Sequence, residues 1–290
     1  MQCGNNLKQL TLALHNYHDT YQRLPPAYVR VYFQVGAANT DVDNERRGNW
    51  GWGALILPFV EQKPLHEALQ VGPVTLAQNL DNPTTRLMMQ QKLATYRCPS
   101  DTGPQLNVDR VLRSHTNVAY ETATSNYVAV NSTGTVDGDP PFLYRGLFIR
   151  DEGRRFADIA DGTSNTFAIG ERSWRRVQST GVVGLPVAGL VFGCRGIASG
   201  IVSDWGLMDI VAIGRFRMNY NLGNVGRLKR AFGSNHPGGS QFAFCDGSAR
   251  FVSENIDADM NVMQQTVDAT PNSTWEYLIT IADGNPIGDF

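Results

Sequence analysis

The sequence is short of charge, of paired cysteines and of long apolar runs, and each shortage closes off a class of function. Lysine, arginine, aspartate and glutamate make up 18% of the 290 residues, against about 25% in an average soluble domain. The 25 basic and 27 acidic residues nearly cancel, so neither a nucleic-acid partner nor a polybasic membrane contact is indicated. No apolar run reaches the roughly 18 residues needed to cross a bilayer, and no signal-peptide pattern is present. Cys3, Cys98, Cys194 and Cys245 show no CxxC spacing, which argues against a zinc site. Nucleophile elbows, phosphate-binding loops and dinucleotide fingerprints are missing. Ser234 near His236 makes no elbow, and His15 and His18 lack the glutamate and spacing of a helical zinc motif. The chain is therefore read as non-enzymatic.

What is present is glycine, at 29 residues, with many asparagines, threonines and serines. That mixture suggests a turn-rich β protein of a kind common outside the cytoplasm. The length suffices for a sizeable core. Leu7, Leu10, Leu14, Tyr17, Tyr21 and Leu24 recur at alternating steps of three and four, which predicts a helix over 5–24 with one apolar stripe. Pro25-Pro26 is expected to stop it. Such a stripe suits a helix lying lengthwise on a sheet or on one side of a bundle.

Downstream, 27–50 reads as an extended loop with short strands within 28–35, and 41–47 as exposed. A short helix is expected over 61–69. Asn82-Pro83 should open another helix that runs to 94. Strands are expected at 125–130, 146–149 and 166–169, with weaker ones at 190–193 and 210–213. Residues 241–245 and 249–252 should pair around Asp246-Gly247, a strong hairpin-turn dipeptide. A last helix is expected from 272 or 273 through Ile281, stopped near Gly284. The layout is α+β: an N-terminal amphipathic helix on a mostly antiparallel β body with loop-rich insertions.

Four constellations carry candidate chemistry. His236 and Asp246-Gly247 would meet across a hairpin as a ligand or proton-transfer pair. Alternatively, Asp and Gly serve the turn alone and His236 bonds a backbone carbonyl, and this architectural reading is preferred. Asp158, Asp161 and Asn165 offer oxygen ligands of the type calcium takes, although an Asx turn explains Asp161-Gly162 equally well. Glu171, Arg172, Trp174 and Trp205 would form a polar and aromatic edge for a sugar or small solute. Trp52 is expected in the core. In an oxidising compartment one cysteine pair would bridge, with Cys98 and Cys245 as the candidates. Otherwise all four are small buried hydrophobes.

Several segments taken together, in order and spacing, carry a resemblance. They are Asn5-Asn-Leu-Lys-Gln-Leu at the start, Leu24-Pro25-Pro26, Trp52-Gly-Ala-Leu-Ile-Leu-Pro-Phe-Val-Glu61-Gln62, Tyr96-Arg-Cys98-Pro-Ser-Asp101, Asp161-Gly-Thr-Ser-Asn-Thr166, and His236 with nine residues before Asp246-Gly247. This set resembles a planctomycete family of unknown biochemical function, DUF1559, over nearly the whole chain. The family has a pilin-like N-terminal cleavage and methylation segment and a C-terminal H-X9-DG motif. The resemblance implies that 1–26 is the C-terminal part of a pilin-like spine helix. It implies a single head domain over 27–290, with the H-X9-DG region at 231–252. It further implies an apolar helix upstream of Cys3, so that this chain is a soluble truncation with Met1-Gln2 as junction residues. The native protein would be membrane-anchored, in the periplasm or at the cell surface. It would associate with other pilin-like subunits through its helix, or display a solute- or glycan-binding module. Calcium binding by several pseudopilins adds to the reading of Asp161.

Overall fold

The apolar stripe forms one helix, α1 (Gln2–Tyr21), in a computed structural model that describes residues 2–30, 47–134, 146–176, 185–196, 206–221, 225–258, 270–288 and 290. Leu7, Leu10 and Leu14 are buried, along with Cys3, Asn6, Thr11 and Ala13. At about 1.5–3 kcal/mol for each fully buried leucine, this face supplies several kcal/mol of docking free energy. The helix stops earlier than the prolines require. Gln22 adopts a left-handed φ of 58°, and its N–H bonds the His18 carbonyl at 2.6 Å. Tyr17 is half-buried and packs on the core as expected, its ring 6.0 Å from Phe59. Two stripe positions are corrected: Tyr21 is 58% exposed and leans on the Tyr17 ring, with centroids 4.5 Å apart. Leu24 is buried but lies beyond the helix.

The body is organised by a five-stranded sheet made of β1 (Tyr127–Val130), β2 (Phe167–Glu171), β3 (Val211–Ala212), β4 (Gly239–Phe244) and β5 (Ala249–Ser253). Its spatial order is β3-β1-β2-β4-β5. All neighbours are antiparallel except β3 and β1, which pair in parallel through Val211 opposite Ala129. The β4–β5 hairpin forms at Asp246-Gly247 as expected. Gly247 takes a φ of 89°, a conformation that penalises any residue with a Cβ, and the Asp246 carboxylate accepts the Ser248 N–H at 2.8 Å.

Period-two alternation splits the sheet into two faces, except that an irregularity in the β4–β2 register at Ala243–Phe244 puts Ile169 and Phe167, two residues apart, in different core clusters. Tyr127, Ala129, Ile169 and Ala243 join the leucines of α1 in one cluster, and α1 crosses β4, β5 and β2 on that side. Val128, Val130, Phe167, Phe242 and Phe244 face the other way, onto Trp275 of the short helix Thr274–Tyr277. There Phe167 stacks on Phe242 at 4.4 Å, and the Trp275 N–H donates to the Gly214 carbonyl at 2.8 Å. Gly170 leaves room for this aromatic group, since a Cβ there would sit 2.5 Å from Phe242.

Elsewhere the expected elements shorten. The Asn82 side chain caps its helix through the Thr84 N–H at 2.9 Å, but that helix covers only Pro83–Met89. Residues 146–149 form no named strand, although the Phe148 N–H bonds the Val130 carbonyl at 3.0 Å, and the last helix is one turn long. Most of 28–35 lies outside the described residues. Among the described residues, no helix is long and apolar enough to cross a membrane.

Candidate functional site

The last residue of β2, Glu171, pairs in register with Tyr127 and is only 1% exposed. Its Oε2 accepts the Gln241 N–H at 2.7 Å and the Ser240 hydroxyl at 3.1 Å. Its Oε1 lies 3.2 Å from His236 Nε2. Burial pushes the Glu171 carboxyl above its ordinary range. The Gln241 N–H, His236 and the Ser240 hydroxyl favour the charged form and limit the rise. His236 is set by its own loop: its N–H donates to Ser234 Oγ at 3.0 Å, and the Ser234 hydroxyl donates to the Gly239 carbonyl at 2.7 Å.

The other half of the site comes from the N-terminal part of the chain. Cys98 Sγ stands 3.7 Å from His236 Nε2 and 3.0 Å from Ser100 Oγ. It is joined to Cys3 of α1 in a disulfide whose Cα atoms are 5.1 Å apart. Asn6, one turn after Cys3, donates to the carbonyls of Arg97 at 2.8 Å and Ala94 at 3.3 Å. The Tyr127 hydroxyl donates to the Cys3 carbonyl at 3.4 Å. Asn126, just before β1, accepts the Cys98 N–H at 3.1 Å and donates to Asp101 at 2.7 Å. Asp101 in turn accepts the N–H groups of Gly103 and Trp174. A small void here is lined by Cys98, Ser100, Asp101, Asn126, Glu171 and Ser234. A cleft of about 470 Å³ opens beside it, with Lys92, Arg97, Asp101 and Gln105 on its walls.

Several sequence expectations are corrected. His236 and Asp246 flank opposite ends of β4, whose six residues span about 20 Å. The carboxylate that meets His236 is Glu171, while Asp246 serves the turn and lies 3.9 Å from Arg250. Neither the paired reading nor a carbonyl partner for His236 describes what forms. The disulfide joins Cys98 to Cys3 and not to Cys245, because Cys98 faces the first turn of α1. Cys245 follows the last residue of β4 in the core cluster under α1, and burial pushes its thiol well up. Its backbone N–H bonds Thr166 at 2.9 Å, and its carbonyl meets His15 Nε2 at 2.9 Å.

The remaining candidates disperse. Arg172 is fully buried and donates to the carbonyls of Met208, Asp209, Val211 and Lys229, so it braces β3 and presents nothing to a solute. Trp174 is 6% exposed and packed on Gly103, so its ring offers no open stacking face. Trp205 lies outside the described residues. The calcium ligands are engaged separately. Asp158 pairs with Arg155 at 2.8 Å, Asp161 accepts the N–H groups of Asp283 and Gly284 at 2.7 and 2.9 Å, and Asn165 donates to the Asp161 carbonyl at 3.2 Å. Trp50 and Trp52 are core residues whose N–H groups bond Val74 and Ile210.

Cys3, Asn6, Asp101, Asn126 and Ser240 were not singled out as site residues by sequence reasoning. For the first two a signal existed, since a three-residue spacing puts both on one helix face. Asn126 and Ser240 carry no local pattern.

A family model, SBP_bac_10, described as "Protein of unknown function (DUF1559)", matches residues 1–259. No curated protein and no solved structure matches the chain. The match covers most of the sequence and includes all the segments that meet around Glu171 and His236, so the chain belongs to the DUF1559 family.

Proposed function

We propose that this chain is a non-enzymatic, extracytoplasmic, pilin-like subunit. In this reading α1 is the lower part of a spine helix, and the β body is the head it carries. The supporting observation is the way α1 is held. It lies lengthwise on the sheet, and its first turn is tied to the head by the Cys3–Cys98 disulfide and by Asn6. Disulfides persist in oxidising compartments and are rare in the cytosol, which favours the periplasm or cell surface. The family resemblance adds a membrane anchor preceding α1 and assembly with other pilin-like subunits.

The test is to express the protein with its natural upstream segment in its own host. The sheared surface fraction is then examined by mass spectrometry and negative-stain microscopy. A processed N-terminus in filaments or multimers is the expected result. Unassembled monomers would refute the assembly role.

A second reading, a surface-displayed solute- or glycan-binding module, is favoured by the cleft beside Cys98. Its walls carry Lys92, Arg97, Asp101 and Gln105, a polar set suited to a hydroxylated or acidic solute. A glycan screen against the isolated chain separates the two readings. Saturable binding that is lost in Lys92→Ala would support the module.

A further inference from the structure

The residues around Glu171 form more than an ion pair beside a disulfide. Cys3 Sγ, Cys98 Sγ, a Glu171 carboxylate oxygen and one His236 ring nitrogen all lie within 4.8 Å of one another, and three of the four residues are buried. Two sulfurs, one imidazole and one carboxylate are a donor set that zinc takes tetrahedrally, at about 2.3 Å to sulfur and 2.0–2.2 Å to nitrogen and oxygen. Around such an ion the donor atoms stand about 3.3–3.8 Å apart. The present separations are therefore close to what one ion would need once the sulfurs part.

We propose that the reduced form of this chain binds one zinc ion through Cys3, Cys98, Glu171 and His236, and that the ion and the disulfide are alternative fastenings of the first turn of α1. This inference goes beyond the assembly role and does not depend on it.

The surroundings suit the site. Glu171 Oε2 is fixed by the Gln241 N–H and the Ser240 hydroxyl, which leaves Oε1, on the His236 side, for a metal. His236 is oriented through Ser234. The Cys98 backbone is held by Asn126, and Cys3 lies one turn before Asn6, which is anchored to the 94–97 carbonyls. Outer partners of this kind fix ligand direction and strengthen binding. His236 is the least buried ligand, with 26% of its side chain exposed, and it gives the ion a way in.

The redox step balances with an external dithiol. The dithiol gives two electrons and two protons to the S–S bond, becomes a disulfide itself, and leaves Cys3 and Cys98 as thiols. Zinc entry displaces both thiol protons to water. In reverse, a disulfide oxidant accepts two electrons from the thiolates, the Cys3–Cys98 bond forms, and the ion leaves. The absence of CxxC spacing in the sequence is no obstacle, because each ligand comes from a different segment.

The test uses the intact chain, reduced with a phosphine under anaerobic conditions and titrated with Co²⁺, then with Zn²⁺ as competitor. The expected result is one Co²⁺ per chain, with tetrahedral d–d bands and thiolate charge-transfer absorption, and no such spectrum from the oxidised chain. His236→Ala and Glu171→Gln should each weaken the reduced form by at least about tenfold, while His66→Ala should leave it unchanged. Equal binding by the oxidised and reduced forms would overturn the proposal, as would reduced binding indifferent to His236→Ala and Glu171→Gln.

Two further measurements need no variant. X-ray absorption of the zinc-loaded chain should show two sulfurs at about 2.3 Å, and a shell without sulfur would refute the site. If reduction unfolds the chain, zinc should restore its helical circular dichroism, and a chain that stays unfolded with zinc would also refute it.

Discussion

Removing the Cys3–Cys98 bond tests how the helix is held to the head. The bond closes a loop over a sequence separation of 95. In the chain-entropy description, a cross-link of that span restricts the unfolded chain by about 4.7 kcal/mol at 25 °C. Unfolding 290 residues at about 2.1 cal/mol/K per residue gives an entropy near 0.6 kcal/mol/K. The double variant Cys3→Ala with Cys98→Ala should therefore melt about 8 °C below the oxidised parent. Calorimetry in the presence of a chelator measures this without interference from metal. Hydrogen exchange on the same pair should show the first turn of α1 opening in the variant, because among the described residues the side-chain hydrogen bonds left to hold it are those of Asn6 and the Tyr127 hydroxyl. Peptide mapping under non-reducing conditions must find Cys3 joined to Cys98. Two outcomes would refute the reasoning: four alkylatable thiols in the oxidised parent, or a variant that melts with the parent.

Three other substitutions probe separate layers. Leu14→Asp places a carboxylate at a position 1% exposed, among the leucines of the core. It should lower stability by several kcal/mol, and a chemical-denaturation midpoint equal to the parent's would show that α1 does not dock through this face. Asp246→Ala removes the acceptor of the Ser248 N–H and should cost about 1 kcal/mol with no change in solute or metal affinity. A binding titration that collapses while the melting point holds would contradict the turn role. Asp209 is buried between Arg110 and Arg195 at 2.8 Å from each. Burial opposes its ionisation, but the two guanidinium groups more than offset this and hold its carboxyl below the ordinary range. Its contribution is thus present above the ordinary carboxylate range and lost as pH falls through its lower folded value. Asp209→Asn should cost about 3–5 kcal/mol at neutral pH, by leaving the buried Arg110 guanidinium without its carboxylate. The gap to the parent in urea midpoints should narrow toward pH 3, and a gap constant with pH would count against the ion pair.

The legible parts of this chain are those encoded by neighbours in sequence. The leucine stripe announces α1, Asn82-Pro83 announces a capped helix, and Asp246-Gly247 announces the hairpin. Each rests on local backbone rules. The partner of His236 is not local. It is chosen by the register that sets β4 against β2 and brings Gln241 and Ser240 alongside Glu171. No spacing within one segment encodes that register. The same holds for Cys98, which meets the first turn of α1 at Cys3, whereas Cys245 of the same core cluster meets the helix at His15, twelve residues further along. Arg172 and Trp174 look like binding residues by type, but the structure uses them as internal braces. Charge and aromaticity do not reveal whether a side chain meets solvent or a carbonyl.

The fastening of Cys3 also decides where a tensile load would travel. A pull applied at the start of α1 need not run through the helix and peel it from the sheet turn by turn. It passes through the sulfur bridge into Cys98, then through the Asn126 side chain to the start of β1, an interior strand. The bonded ladders on both sides of β1 would share the force in shear, and residues 4–21 would stay slack behind the bridge. Opening the bridge would turn the same pull into peeling, one helical turn at a time.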